Sequence, residues 1–140
     1  MKKLYALLLL LFLSYSSYAQ SIKSSEITEP ESVKLIESIA SFEVFNGRQL
    51  RVAIFTTSNG SGSANLPESD ESSSNLLICI AHYDEYPVSK LYSIGPFLKP
   101  KVIKKVDSGH SVTLFIEYGI IDKRKTTKVV VSEATIQIQQ

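Results

Sequence analysis

From Ser41 onward apolar and polar residues largely alternate, the period-two pattern of strands with one buried face. Phe42 and Val44 precede Asn46-Gly47, a dipeptide that favours a hairpin turn, and Leu50, Val52 and Ile54 follow it. A two-residue loop would set Glu43 against Leu50. A three-residue loop or a bulge opposes Val44 to Leu50, Phe42 to Val52 and Glu43 to Arg51, matching apolar with apolar and acid with base, and is the preferred register. Leu76 to Tyr83 is apolar at both parities, so it predicts a central strand covered on both faces. Tyr86-Pro87 ends it. Val88 to Ile94 is a weaker strand, and Gly95-Pro96 with Lys99-Pro100 predicts a stiff corner, since proline cannot donate to a ladder. Val102 to Val106 leads into an Asp107-Ser108-Gly109 turn, after which Val112, Leu114, Ile116 and Tyr118 alternate with Thr113, Phe115 and Glu117. A charged turn at Asp122-Lys123-Arg124-Lys125 precedes a last strand from Thr127 to Gln139. Val130, Ala134, Ile136 and Ile138 are expected inward, and the strand's length implies a bend or bulge near Ser132 or Glu133.

Two segments depart from this pattern. Thr28-Glu29-Pro30-Glu31 reads as a helix start, with a capping threonine, a proline in the first turn and a glutamate three residues after the cap. A short helix from about Glu29 to Ile39 places Val33, Ile36 and Ile39 or Ala40 on one face, although Val33 and Leu35 also fit an edge strand. Residues 57–75 are almost wholly polar, a connection long enough to be either functional or simply solvated.

About seven strands with regular turns and one short helix predict an all-β fold, an antiparallel sandwich of immunoglobulin-like outline, with a small barrel as the alternative. The chain has no tryptophan and one cysteine, so the antibody hallmarks are absent. The expected organisation is a cleavable signal at 1–19, a polar arm at 20–28 and one domain over 29–140.

The N-terminus sets the expected location. Lys2 and Lys3 precede an apolar run, Leu4 to Leu13, and Ser17 and Ala19 occupy the small-residue positions before Gln20. The run is about 10 residues where a span needs about 20, so it reads as an export signal and the working protein as secreted or periplasmic. No cysteine directly follows Ala19 for a lipid anchor, and no second apolar stretch is long enough to span a bilayer. Removing the signal takes the net charge from +1 to −1, which gives no general electrostatic reason to bind nucleic acid. Charge is uneven, however. Up to Pro87 the exported part holds four basic residues against ten acids, and beyond it nine against four. The simpler account is that the halves neutralise each other; the other is a basic surface patch.

Candidate chemistry is thin, and no cofactor is implied. Cys79 lies in an apolar run and reads as a small core residue. Glu68, Asp70 and Glu71 offer calcium ligands without the spacing of a known loop. Asn59-Gly60-Ser61 is a formal glycosylation acceptor. His82 and Asp84 share a side at a strand end, and with His110 they form the only constellation for a metal-dependent hydrolase. No Gly-x-Ser-x-Gly elbow or phosphate-cradling loop exists, and the inventory argues against an enzyme. The basic residues Lys99, Lys101, Lys104, Lys105 and Lys123 to Lys125 remain, together with aromatic residues near the expected corner. Tyr83, Tyr86, Tyr92, Phe97, Lys99 and Lys101 are the expected binding residues of a non-enzymatic envelope module whose partner is a protein or a glycan. A structural subunit that pairs its last strand with a neighbour's sheet is the second reading.

Overall fold

A computed structural model of the chain describes residues 24–25, 28–66, 70–84 and 87–139. The expected signal at 1–19, together with Glu68 and Tyr86, lies outside the described residues. A helix α1 (Pro30–Ser38) leads into eight strands: β1 (Ile39–Asn46), β2 (Leu50–Ser58), β3 (Ser73–His82), β4 (Lys90–Leu98), β5 (Lys101–Asp107), β6 (Ser111–Tyr118), β7 (Lys125–Ser132) and β8 (Ile136–Gln139). They form two antiparallel four-stranded sheets, β1-β2-β3-β4 (sheet A) and β5-β6-β7-β8 (sheet B). Each sheet is a simple meander, and only the β4–β5 connection passes between them. The fold is therefore a sandwich rather than a closed barrel. It shares with the immunoglobulin outline two stacked antiparallel sheets but not Greek-key crossings.

The core lies between the sheets. Leu50, Val52 and Ile54 of β2, Leu76, Ile78 and Ile80 of β3, and Ile94 of β4 meet Val112, Leu114 and Ile116 of β6 and Val129 and Val131 of β7. Phe45, Tyr92, Phe97, Val102 and Ile136 close its margins. β1 lies over β5, where Glu43 pairs with Lys105 across the sheets. β4 lies over β8: Lys90 Nζ donates to the Glu133 carbonyl (2.8 Å) and Tyr92 Oη to that of Ala134 (3.4 Å).

Several local expectations are corrected. In the first hairpin Phe45 opposes Val52, Glu43 opposes Ile54 and Phe42 opposes Phe55. Glu43 and Phe45 thus face inward, and Phe42 and Val44 face out. Alternation misled because sheet A is apolar on both faces, so either parity of β1 finds apolar partners; the loop decides instead. Gly47 N donates to the Leu50 carbonyl (2.8 Å) and Arg48 N to Asp107 Oδ2 (2.7 Å). β4 continues through Gly95-Pro96 with a break in its register to β3, and the corner is Lys99-Pro100 alone. The C-terminal strand is a hairpin rather than one bent strand, with Val129 and Val131 inward and Val130 outward. The N-cap is Glu29 rather than Thr28, and the Glu29 side chain makes no capping bond to the backbone but accepts from Ser32 Oγ (2.8 Å).

The polar connection is shorter than 57–75, because Thr57 and Ser58 complete β2 and Ser73 to Asn75 open β3. What lies between is closed on itself: Gly62 N donates to the Asp70 carbonyl (3.1 Å) and Ala64 N to that of Glu71 (3.0 Å).

Candidate functional site

The expected binding corner does not assemble. Tyr83 sits at the end of the sandwich bearing the β1–β2 loop, where its Oη donates to Asn46 Oδ1 (3.1 Å) and its N to the Gln49 carbonyl (3.0 Å). Lys99 and Lys101 lie at the opposite end. Tyr92 and Phe97 are separated along β4 by roughly 16 Å at strand rise. Both pack against the core, Phe97 with its ring 5.0 Å from that of Tyr118, so they are structural margins rather than exposed anchors. β4 simply runs on through the expected corner and carries its two ends apart.

The basic turns do meet: Arg124 Nη2 donates to the Lys99 carbonyl (3.0 Å) and Gly119 N to that of Leu98 (2.7 Å). Three cations of the basic run have carboxylate partners, Lys99 with Glu71, Lys105 on β5 with Glu43, and Arg124 with Glu117. The first two join a cation of the C-terminal half to an acid of the N-terminal half, which is the neutralisation the charge distribution implied.

The remaining candidates are resolved by position. His82 ends β3, and His110 lies in the β5–β6 turn at the same end. Among the described residues, no three His, Cys, Asp or Glu side chains gather closely enough to hold a metal ion. In the polar loop the Glu71 carboxylate binds Lys99, and the Asp70 backbone carbonyl accepts from Ser61 Oγ (3.3 Å) as well as from Gly62. The Asn59 amide is used internally, donating to Ser73 Oγ (2.9 Å) and accepting from Asn75 Nδ2 (2.9 Å), so a glycan there would displace a loop-closing bond. Cys79 is half buried and lies outside the core, on the outer side of sheet A.

All four sheet edges carry features that discourage strand addition. β1 and β5 each hold an inward-pointing charge, Glu43 and Lys105, and each has a register shift, after Ile39 and after Val102. β4 contains Pro96, and β8 is four residues long. The open faces are different. The outer side of sheet A presents Phe42, Val44, Ala53, Phe55, Leu77 and Cys79, with Leu91 beside them, and its one charged strand residue, Arg51, lies toward the β1–β2 loop. Helix α1 roofs only part of this face and buries none of its own residues. An apolar cleft of about 260 Å³ remains where Leu35 and Ile36 meet Phe55, Leu77, Cys79 and Leu91. Phe42, stacked on Phe55 at 5.3 Å, is 60% exposed, Leu91 58% and Ile36 66%. Alternation alone does not reveal this surface; its signal in the sequence is apolar residues at both parities, in Leu76 to Tyr83 and in Val52 to Phe55.

Comparison with protein-family models, curated proteins and solved structures finds no match.

Proposed function

We propose that this chain is an exported, non-catalytic interaction module of the cell envelope that seats a protein partner on the outer face of sheet A. The observation that carries this reading is the apolar surface of Phe42, Leu91 and Ile36 around an incompletely roofed sheet. A face with almost no hydrogen-bonding or charged side chains favours an uncharged apolar patch of another protein over a glycan, because a sugar would leave its hydroxyls unpaired there. Strand addition has less support, since each edge is blunted. The metal-dependent reading lacks an assembled ligand set among the described residues.

The test begins with envelope proteins retained on the immobilised protein, each then purified and titrated. A true partner binds the wild-type chain and loses about 30-fold in affinity to Phe42→Asp, the scale of one truncated anchor. Folding of the variant is checked by its thermal midpoint, which a surface substitution leaves nearly unchanged. Retained proteins that bind Phe42→Asp and Leu91→Asp as tightly as wild type would sink the reading.

A further inference from the structure

Sheet B has an outer face of opposite character. Leu114 and Ile116 point into the core, so Phe115 and Glu117 point out, and the register carries the same side to the neighbouring strands. Lys104 and Lys128 oppose Phe115 from either side, and Gln139 opposes Lys128. One row thus crosses all four strands as Lys104, Phe115, Lys128 and Gln139. Lys101 opposes Glu117 in the next row, and Val106, Thr113, Thr126, Val130 and Gln137 are among the other residues of the surface.

The electrostatics of this face are one-sided. Lys104 Nζ stands 5.5 Å from the Phe115 ring centroid, a cation held over an apolar base. The carboxylate of Glu117 is drawn to Arg124 Nε at 2.6 Å. Among the described residues no ion pair engages Lys101, Lys104 or Lys128. The backbone positions of Lys104 and Lys128 thus lie two strands apart, about 10 Å, on either side of Phe115, with no acidic residue in their row.

We infer that this face, through Lys101, Lys104, Lys128 and Gln139, is a binding site for an acidic polysaccharide. The surface is an open sheet face, which suits an extended polymer lying across the strands. Lysines supply point charges for carboxylate or sulfate groups, while the threonine hydroxyls and glutamine amides can donate to and accept from sugar hydroxyls. Nucleic acid fits less well. The aromatic ring already lies beneath Lys104, no second ring offers a stacking platform, and none of these cations is an arginine fork for phosphate.

The experiment titrates the purified protein with polygalacturonate, dextran sulfate, neutral dextran and oligo(dT), each at low and at physiological salt. The expected result is binding of a carboxylated or sulfated polymer that weakens as salt rises, with none to neutral dextran. Lys104→Glu with Lys128→Glu should lose at least about tenfold in affinity, and Lys104→Gln with Lys128→Gln should lose in the same direction if reversal impairs folding. Lys34→Glu with Lys90→Glu makes the same change in net charge away from the face and should alter affinity by less than about twofold. Phe42→Asp should leave polysaccharide binding unchanged, so failure here and failure of the protein-partner reading are separable. The inference is overturned by no binding to either acidic polymer, by equal losses in the two charge-reversed pairs, or by tighter binding of oligo(dT) than of both polysaccharides.

Discussion

Asp107 ties the two sheets together through backbone groups. Its Oδ2 accepts from Arg48 N (2.7 Å) in the β1–β2 loop, and its Oδ1 accepts from Gly109 N (2.8 Å) in its own turn. The Gly109 bond, then the Arg48 bond, holds the carboxyl below its ordinary value of 3.8. A lowered folded-state value means the stabilisation is present above the ordinary carboxylate range and is lost as pH falls through the folded value. Asp107→Asn should lower Tm at neutral pH and flatten the acid side of a Tm profile taken from pH 7 to pH 3. A variant that keeps the wild-type acid limb would show that these contacts contribute nothing. Gly95 is another single residue whose identity the packing constrains. It has φ +139°, and a Cβ there would stand 2.5 Å from Asn75 Oδ1 and 3.1 Å from the Ser74 carbonyl. Gly95→Ala should cost about 1–3 kcal/mol in denaturant unfolding. Neither role was legible in the sequence. Asp107 was visible as a turn residue, but its partner Arg48 is far along the chain, and Gly95-Pro96 read as the end of a strand it actually lies within.

Among the elements, β6 was read correctly because one of its faces is apolar and the other mixed, so alternation alone assigns its sides. β1 was not, because sheet A is apolar on both faces and its register is set by loop hydrogen bonds. The β7–β8 hairpin escaped for a different reason. Ser132-Glu133-Ala134-Thr135 contains no glycine or proline, and Ser132 supplies the turn itself: its N donates to the Thr135 carbonyl (2.9 Å), and its Oγ accepts from Thr135 N (3.2 Å). Inward charge on the edge strands is the element-level feature with the clearest consequence. Glu43 and Lys105 neutralise each other across the gap between β1 and β5 and leave both edges costly to pair with another strand. Replacing both with valine should leave a folded protein that self-associates. Light scattering at rising concentration checks this, and a double variant as monomeric as wild type would remove the edge-guarding role.

On the scale of the whole molecule, the uneven charge of the chain becomes a difference between sheets. The chain completes sheet A before sheet B, so of the nine basic residues beyond Pro87 only Lys90 lies on a strand of sheet A, and the others fall on sheet B or in the turns that lead into it and join its strands. Two ion pairs take up part of the imbalance, and Lys101, Lys104 and Lys128 stand on the outer face of sheet B outside those pairs. The expected corner of aromatic and basic residues failed because neighbours in sequence along a strand lie far apart in space, whereas the surfaces that did form collect residues from three or four strands. Such surfaces follow from register, which a single sequence specifies weakly.

The claim that sheet A's outer face holds a protein partner is tested most directly by photo-cross-linking in cells that produce this protein. A photoreactive residue replaces Phe42 in one variant and Val130, on the opposite outer face, in another. The account predicts one defined adduct with a different protein from position 42, absent from position 130 and diminished by Leu91→Asp in the same chain. No adduct at 42, the same adduct from both positions, or an adduct consisting only of two copies of this chain would contradict it.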